Sequence, residues 1–269
     1  MENEWTLQKS HGNHDLKQTK FDKNKWLYFS MRFLQQVRAE HFPEKIVWAW
    51  KDTFAILIIP LIILNGFILE GIFGSLIAVS LGDTVLRALL FILVCFLYKD
   101  MLFVHWIKFR QAFWRSSLLV VIGAVLLQVV ISLTRQLLLV GQSTEEKSFI
   151  DPEHIPFLSL LMISLGPLFT ALLEDIVFRY TLLQKLFIQP LLWRIILIIL
   201  NSILFGLIHY HNFDGNLIAT ISFMSAGLFL NLIYLWTRNI WHVLMIHFLN
   251  NALLSVGGIV LLKLLQSFT

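Results

Sequence analysis

The chain has 269 residues, of which 57% are hydrophobic and 14% are charged. Soluble domains carry about 45–50% apolar and about 25% charged residues, so this composition excludes an ordinary soluble domain and predicts a membrane protein with several spans. The net charge of +4 gives no indication of nucleic-acid binding, and the single cysteine, Cys95, excludes a disulfide framework and a cysteine metal cluster.

The first 52 residues are predicted to form a cytoplasmic tail. They contain nine Lys or Arg and seven Asp or Glu, without a long apolar run or the pattern of a signal peptide. Within the tail, Trp26–Val37 mixes aromatic residues with Arg32 and glutamines, which is typical of an amphipathic helix at the membrane interface. The alternative is a solvated tail that orders weakly.

Beyond the tail, the sequence predicts an all-α, polytopic transmembrane helical bundle. A spanning helix needs about 20 apolar residues, and seven segments approach or exceed this length. They fall into an amino-terminal group within residues 53–155 and a carboxyl-terminal group within residues 156–269. The seven predicted spans are Thr53–Leu76, Val85–His105, Ser116–Val140, Pro156–Phe187, Leu191–Tyr210, Leu217–Trp236 and Ile240–Leu265.

Lys and Arg are distributed unevenly between the two ends of this bundle. Counted over alternate connections, 17 of the 21 basic residues lie on the side of the amino terminus. The positive-inside rule then places the amino terminus in the cytoplasm and the carboxyl terminus outside. Tryptophans flank the same connections, and His105 and His242, next to tryptophans at helix ends, are also predicted to be interfacial.

Three charged residues interrupt the apolar stretch Leu168–Leu183. A charged side chain near the bilayer centre costs about 2.5–3.5 kcal/mol on insertion scales, so each one needs a partner or a function. Asp175 and Arg179 are four residues apart on a helix and are predicted to form an ion pair. Glu174 is left over, which makes it a candidate catalytic acid or base.

Three further polar residues lie on later segments. Glu174 lies 16 residues before Pro190 and His209 lies 19 residues after it, about 24 and 28 Å along antiparallel helices, so they can share one depth. His247 and Asn251 are one turn apart and face the same way. Peptide hydrolysis needs a base for water and donors for an oxyanion. We assign the first task to Glu174, with His209 holding the water, and the second to His247 with Asn251.

The motifs that carry these residues resemble those of a known family. ED-x-x-x-R at Glu174–Arg179, F-x-x-x-H at Phe205–His209 and H-x-x-x-N at His247–Asn251 look like the motifs of the CPBP intramembrane glutamic endopeptidases. These include type II CAAX prenyl endopeptidases and bacterial bacteriocin-processing and self-immunity proteins. The resemblance covers Pro156–Leu254. It implies a metal-free peptidase without a cofactor in a bacterial cell membrane, whose partners are membrane lipid and a membrane-associated, lipidated or leader-bearing peptide.

The resemblance also implies which residues of the site are catalytic and which are structural. It assigns catalysis to Glu174, His209, His247 and Asn251, and structural support to Asp175, Arg179 and Phe205. One position departs from the family, which usually has a second glutamate where this chain has Asp175. If Asp175 only pairs with Arg179, the shorter side chain should be tolerated. If the acid at this position takes part in proton transfer, catalytic activity is in doubt.

Other functions fit the same residues. A non-catalytic membrane scaffold or bacteriocin-immunity protein could use the same fold. A zinc-dependent variant could bind metal through Glu174, His209 and His247 with water in the fourth position. A transporter could use Glu174 as a proton site.

Overall fold

The structure is a computed structural model and describes residues 30–138, 155–213 and 215–268. These residues form helices and connecting turns, with no strand among them. The predicted all-α class is therefore confirmed. Most of the predicted amino-terminal tail, including residues 26–29 of its interfacial helix, lies outside the described residues.

The described residues include eleven α-helices, two π-helices and one 3₁₀ turn. In chain order they are α1 (residues 30–37), α2 (Trp50–Ile72), α3 (Leu76–Leu97), α4 (Lys99–Gln111), α5 (Phe113–Leu137), α6 (Phe157–Ser164), α7 (Gly166–Asp175), a π-helix (Ile176–Gln184), α8 (Leu191–Leu207), a 3₁₀ turn (Tyr210–Phe213), α9 (Leu217–Thr237), α10 (Ile240–Ala252), a second π-helix (Leu253–Gly257) and α11 (Gly258–Gln266).

Six of the predicted spans correspond to helical segments long and apolar enough to cross a membrane. These segments are α2, α3, α5, the continuous stretch Phe157–Gln184, α9 and the continuous stretch Ile240–Gln266. The remaining predicted span corresponds to α8, an apolar helix of 17 residues. At 1.5 Å per residue α8 is about 25 Å long, somewhat less than the hydrocarbon thickness of about 30 Å.

The predicted second span, Val85–His105, is wrong in its boundaries. The helix begins nine residues earlier, at Leu76, and ends at Leu97, where Tyr98 adopts a non-helical conformation. A separate helix, α4, then carries Lys99, Asp100 and two further basic residues. The earlier start places Asp83 inside the span, where it pairs with Arg87 four residues later. The predicted boundaries left Asp83 outside the span, so the sequence analysis missed that its charge neutralises that of Arg87.

The ends of several helices meet at the end of the bundle where the basic residues cluster. Asp52 is fully buried there, forms an ion pair with Lys185 and accepts a hydrogen bond of 2.9 Å from the hydroxyl of Tyr98. Burial raises the pKa of Tyr98, so its hydroxyl keeps the proton that it donates. Lys51 also donates to the carbonyl of Leu97, at 3.5 Å. These contacts tie α2 and α3 to the π-helix Ile176–Gln184.

The side chains of His105 and His242, which were predicted to be interfacial, are completely buried in protein. His105 lies 3.2 Å from Glu40 and accepts a hydrogen bond from the backbone of Ile240. His242 lies 3.1 Å from the hydroxyl of Ser116. Neighbouring tryptophans indicate a helix end, but they do not reveal which side of the helix is covered by protein.

Helices α8 and α9 approach each other most closely at Gly206. A β-carbon added there would lie 2.2 Å from the side chain of Met224 and 2.8–2.9 Å from the backbone atoms of Met224 and Thr220. The neighbouring Phe205 is similarly confined by Gly227 on α9, where an added β-carbon would lie 2.9 Å from the Phe205 ring. Because neither glycine carries a side chain, α8 and α9 can lie close together and Phe205 can pack directly against Gly227.

We predict that Gly206→Ala destabilises the protein, because backbone atoms of α9 cannot move aside as a side chain can. The expected loss is about 1–3 kcal/mol, the usual cost of overpacking. Gly66→Ala is the matched control, because it lies inside α2 with open space around it and alanine is the better helix former. Thermal unfolding in detergent measures both. A midpoint for Gly206→Ala as high as that of Gly66→Ala would contradict the prediction.

Candidate active site

Helix α7 begins with Gly166 and Pro167 in its first turn. Proline suits this position because its missing N–H would have no helical partner. Helix α7 ends at Asp175, and the chain continues as a π-helix, a form that often occurs at functional sites. The side chain of Asn201 on α8 donates a hydrogen bond of 2.9 Å to the carbonyl of Phe178 in this π-helix. The contact fixes α8 against the segment that follows the two acids.

Asp175 is fully buried and joins two other helical segments. Its Oδ1 atom lies 3.2 Å from Nη1 of Arg179, which confirms the predicted ion pair. Its Oδ2 atom lies 3.3 Å from Nδ1 of His247 on α10. The second contact was missed from the sequence, because the motifs give no information about which helices face each other. Asp175 thus links the π-helix to α10.

Arg179 is fully buried without an aligned hydrogen bond from its guanidinium to any described residue. Two other interactions compensate for its charge. One is the ion pair with Asp175, and the other is a cation–π contact with Phe205, whose ring centroid lies 4.2 Å from the guanidinium carbon. Phe205 also makes an edge contact with His247, at 5.9 Å between ring centroids. The predicted support residues Asp175, Arg179 and Phe205 therefore form one cluster.

Glu174 lies beside His209, as its predicted depth required. The distance from Oε1 of Glu174 to Nε2 of His209 is 3.9 Å. Nδ1 of His209 lies 2.8 Å from the carbonyl of Phe205, which can only accept, so Nδ1 carries a proton and donates it. Nε2 is then the nitrogen that faces the carboxylate. Glu174 is 5% exposed, whereas Asp175 and Arg179 are not exposed at all, so only the first acid is open to a small ligand.

The ring of His209 is held from its other side by a residue that the sequence analysis missed. Phe223 on α9 stacks on His209 with ring centroids 4.3 Å apart and an interplanar angle of 26°. Arg135 on α5 lies over Phe223 and Phe213, at 5.9 and 5.5 Å from their centroids. A stacking partner has no spacing signature in the sequence, because it comes from a different helix.

Asn251 lies on α10 one turn beyond His247, but its amide points to the start of α7. Its Nδ2 atom donates to the carbonyl of Pro167 at 3.2 Å, and its Oδ1 atom accepts from Asn250 at 3.3 Å. The structure thus brings Glu174 to His209 and Asp175 to His247. Asn251 instead contacts α7 at Pro167, which lies about two helical turns before Glu174.

Within the described residues, no group of three or more His, Cys, Asp or Glu side chains is arranged to hold a metal ion. The acids and imidazoles of the site instead associate in two pairs, Glu174 with His209 and Asp175 with His247.

An apolar cavity of about 130 Å³ lies next to the site. Its lining includes Leu172 and Ile176, which flank Glu174 and Asp175 along the chain, and Phe248, which follows His247. A second cavity of about 370 Å³ shares Cys95, Leu102 and Trp241 with the first and reaches Lys99 and Trp106 at the basic end of the bundle. Both cavities are lined by residues of α3, α4 and α10.

These features define a class of protein: a polytopic membrane protein with an acid–imidazole site buried among its carboxyl-terminal helices. Comparison with known families gives the more specific assignment. The family model described as "Type II CAAX prenyl endopeptidase Rce1-like" matches residues 156–253, so this region of the chain is similar to that family. No curated protein and no solved structure gives a significant match.

We predict that Asp175→Asn strongly destabilises the protein. The substitution leaves the Arg179 charge buried without its counter-ion, and breaking a buried pair costs about 3–5 kcal/mol. Asp100→Asn is the matched control, because Asp100 is exposed on α4. Thermal unfolding measures the loss. The double variant Asp175→Asn/Arg179→Met should lose less stability than the two single variants added together, and simple additivity would contradict a direct ion pair.

Proposed function

We propose that this protein is an intramembrane glutamate-dependent endopeptidase. The single observation that carries the proposal is the pairing of Glu174 with His209 in a buried but accessible position, while the neighbouring acid, Asp175, is occupied by Arg179 and His247. The similarity of residues 156–253 to an endopeptidase family supports the same reaction.

Glu174 acts as the general base in this mechanism. A water molecule beside the 3.9 Å gap can lie within hydrogen-bond distance of both Oε1 of Glu174 and Nε2 of His209. As the water attacks the peptide carbonyl, Glu174 takes one of its protons, and His209 keeps the oxygen oriented. The proton held by Glu174 then passes to the leaving amine, so the carboxylate is regenerated in each turnover.

His247 and Asn251 stabilise the oxyanion that forms during the attack. His247 uses Nδ1 toward Asp175, so its Nε2 edge is the one that can meet a substrate. The Asn251 amide carries two N–H groups, of which one contacts Pro167 and the other can donate to the oxyanion.

The substrate class follows from the surroundings of the site. Two apolar cavities, one lined by Leu172 and Ile176 and one that reaches Lys99 and Trp106, suit a hydrocarbon chain attached to a peptide. We therefore propose a membrane-associated substrate that is lipidated, such as the prenylated peptides in the family's description, with a leader-bearing peptide as the alternative. We place the protein in a bacterial cell membrane with its amino terminus in the cytoplasm, because most of its basic residues lie at that end.

We predict that Glu174→Gln lowers the rate of peptide cleavage by at least about 10³-fold, because glutamine is nearly isosteric but cannot accept the water proton. The matched control is Glu44→Gln, an exposed acid in the connection before α2. A quenched-fluorescent prenylated peptide in liposomes reports the rate, and thermal unfolding shows that both variants fold. Cleavage by Glu174→Gln at the rate of the control would exclude Glu174 as the base.

The remaining alternatives give different results in the same assays. A zinc-dependent variant would contain stoichiometric metal and lose activity in the presence of a chelator. A scaffold or bacteriocin-immunity protein would keep its biological effect after Glu174 and His247 are both replaced. A proton-coupled transporter would produce flux in liposomes without a peptide product.

A further inference from the structure

A second pair of charged residues lies at membrane depth, outside the region that matches the family model. Arg87 is at the midpoint of α3, and Asp83 lies one turn before it. Their side chains are 23% and 21% exposed. Charged side chains at the centre of a span face the bundle interior or a water-filled cavity, because exposure to lipid is costly. This rule predicts that the accessible part of Arg87 faces the interior of the bundle.

The contacts of Arg87 direct its guanidinium toward α7. Its Nε atom donates to Oδ2 of Asp83 at 2.5 Å, and its Nη1 atom donates to the hydroxyl of Thr170 on α7 at 2.5 Å. Asp83 is held from the other side by Asn65 on α2, at 3.1 Å. The close approach of the helices at Gly166, where an added β-carbon would lie 3.1 Å from Thr84, keeps α3 against this part of α7.

Thr170 connects this pair to the proposed active site. Thr170 and Glu174 are four residues apart on α7, so they lie on the same side of the helix and about 6 Å apart along its axis. Arg87 is therefore about one helical turn from the proposed base. The amide of Asn251 reaches the same turn of α7 through Pro167. A peptide lying across Glu174 toward the start of α7 would pass these groups.

We propose that Arg87 binds a carboxylate of the substrate near the bond that is cleaved. The proposal rests on the proposed function and adds the charge that the substrate must carry. Arg87 has five N–H groups, of which Asp83 and Thr170 occupy two, so its Nη2 side can donate to a further acceptor. Asp83 offsets the charge when no substrate is bound. Since an extended peptide covers about 3.4 Å per residue, the carboxylate lies at least about two residues from the scissile bond.

The carboxylate could belong to the carboxyl terminus of the substrate or to an acidic side chain. Both present the same planar anion, which matches a guanidinium in shape and charge. A neutral amide in its place would keep one carbonyl acceptor but would lose the negative charge and the second acceptor oxygen that pair with the guanidinium. Discrimination between acid and amide is therefore the property that separates a binding role from a purely structural one.

Binding of paired peptides to the full-length Glu174→Gln protein tests the proposal without requiring cleavage. The probes are two pairs of fluorescent prenylated peptides. The first pair compares a free carboxyl terminus with its terminal amide. In the second pair both peptides end in an amide, and they carry Glu or Gln at the penultimate position. We expect one acid peptide to bind at least about tenfold more tightly than its neutral partner. Adding Arg87→Ala should abolish that preference, and Arg87→Lys should keep part of it. Arg32→Ala, an exposed site on α1, is the control and should leave the preference unchanged.

The results separate the possible sources and the possible failures. A preference for the free terminus identifies the terminal carboxylate, and a preference for Glu over Gln identifies a side chain. Equal binding of each acid and amide with Arg87 present, or no binding of any acid peptide, overturns the proposal. So does an equal loss of affinity for acid and amide in Arg87→Ala, which would indicate a structural role. A cleavage assay that excludes Glu174 as base would leave a measured acid preference intact.

Discussion

The Asp175 carboxylate has two partners within 3.3 Å, and the arrangement of the proposed site depends on this. Because it is completely buried, its charge is tolerated only with partners, and they come from the π-helix and from α10. Arg179 neutralises it and contacts Phe205, while His247 is held in the position proposed for oxyanion stabilisation. In the part of the chain that the structure describes, His209 is the only ion-pair partner of Glu174. Two adjacent acids are thus separated into a structural and a reactive one.

The departure from the family's second glutamate can be interpreted in these terms. Asp175 reaches both Arg179 and His247 with its shorter side chain, because α10 approaches the end of α7 closely enough. Rigid neighbours keep the helices at these distances: Gly206 and Gly227 allow α8 and α9 to approach, and Phe223 stacks on His209. We therefore expect the shorter acid to be compatible with catalysis, as long as Asp175 positions His247 and does not itself transfer the proton.

Patterns along the chain predicted what a single helix determines. Apolar length gave the fold class and most spans, and four-residue spacing gave the Asp175–Arg179 pair. Distances along neighbouring helices indicated that Glu174 and His209 can share one depth. Other contacts between helices could not be predicted, because they depend on how each helix is rotated against its neighbours. This explains why the Asp175–His247 contact, the stacking of Phe223 and the link from Arg87 to Thr170 were missed. For the same reason, the complete burial of His105 and His242 was not expected from the neighbouring tryptophans.

The central claim is that Glu174 activates water and does not attack the substrate itself. Single-turnover cleavage in H₂¹⁸O tests it most directly, with mass spectrometry of the product and of the protein fragment that contains Glu174 and Asp175. A general base leaves one ¹⁸O atom in the new carboxyl terminus of the product and none in the protein. Appearance of ¹⁸O in the fragment would indicate an acyl intermediate on a carboxylate and would contradict the account.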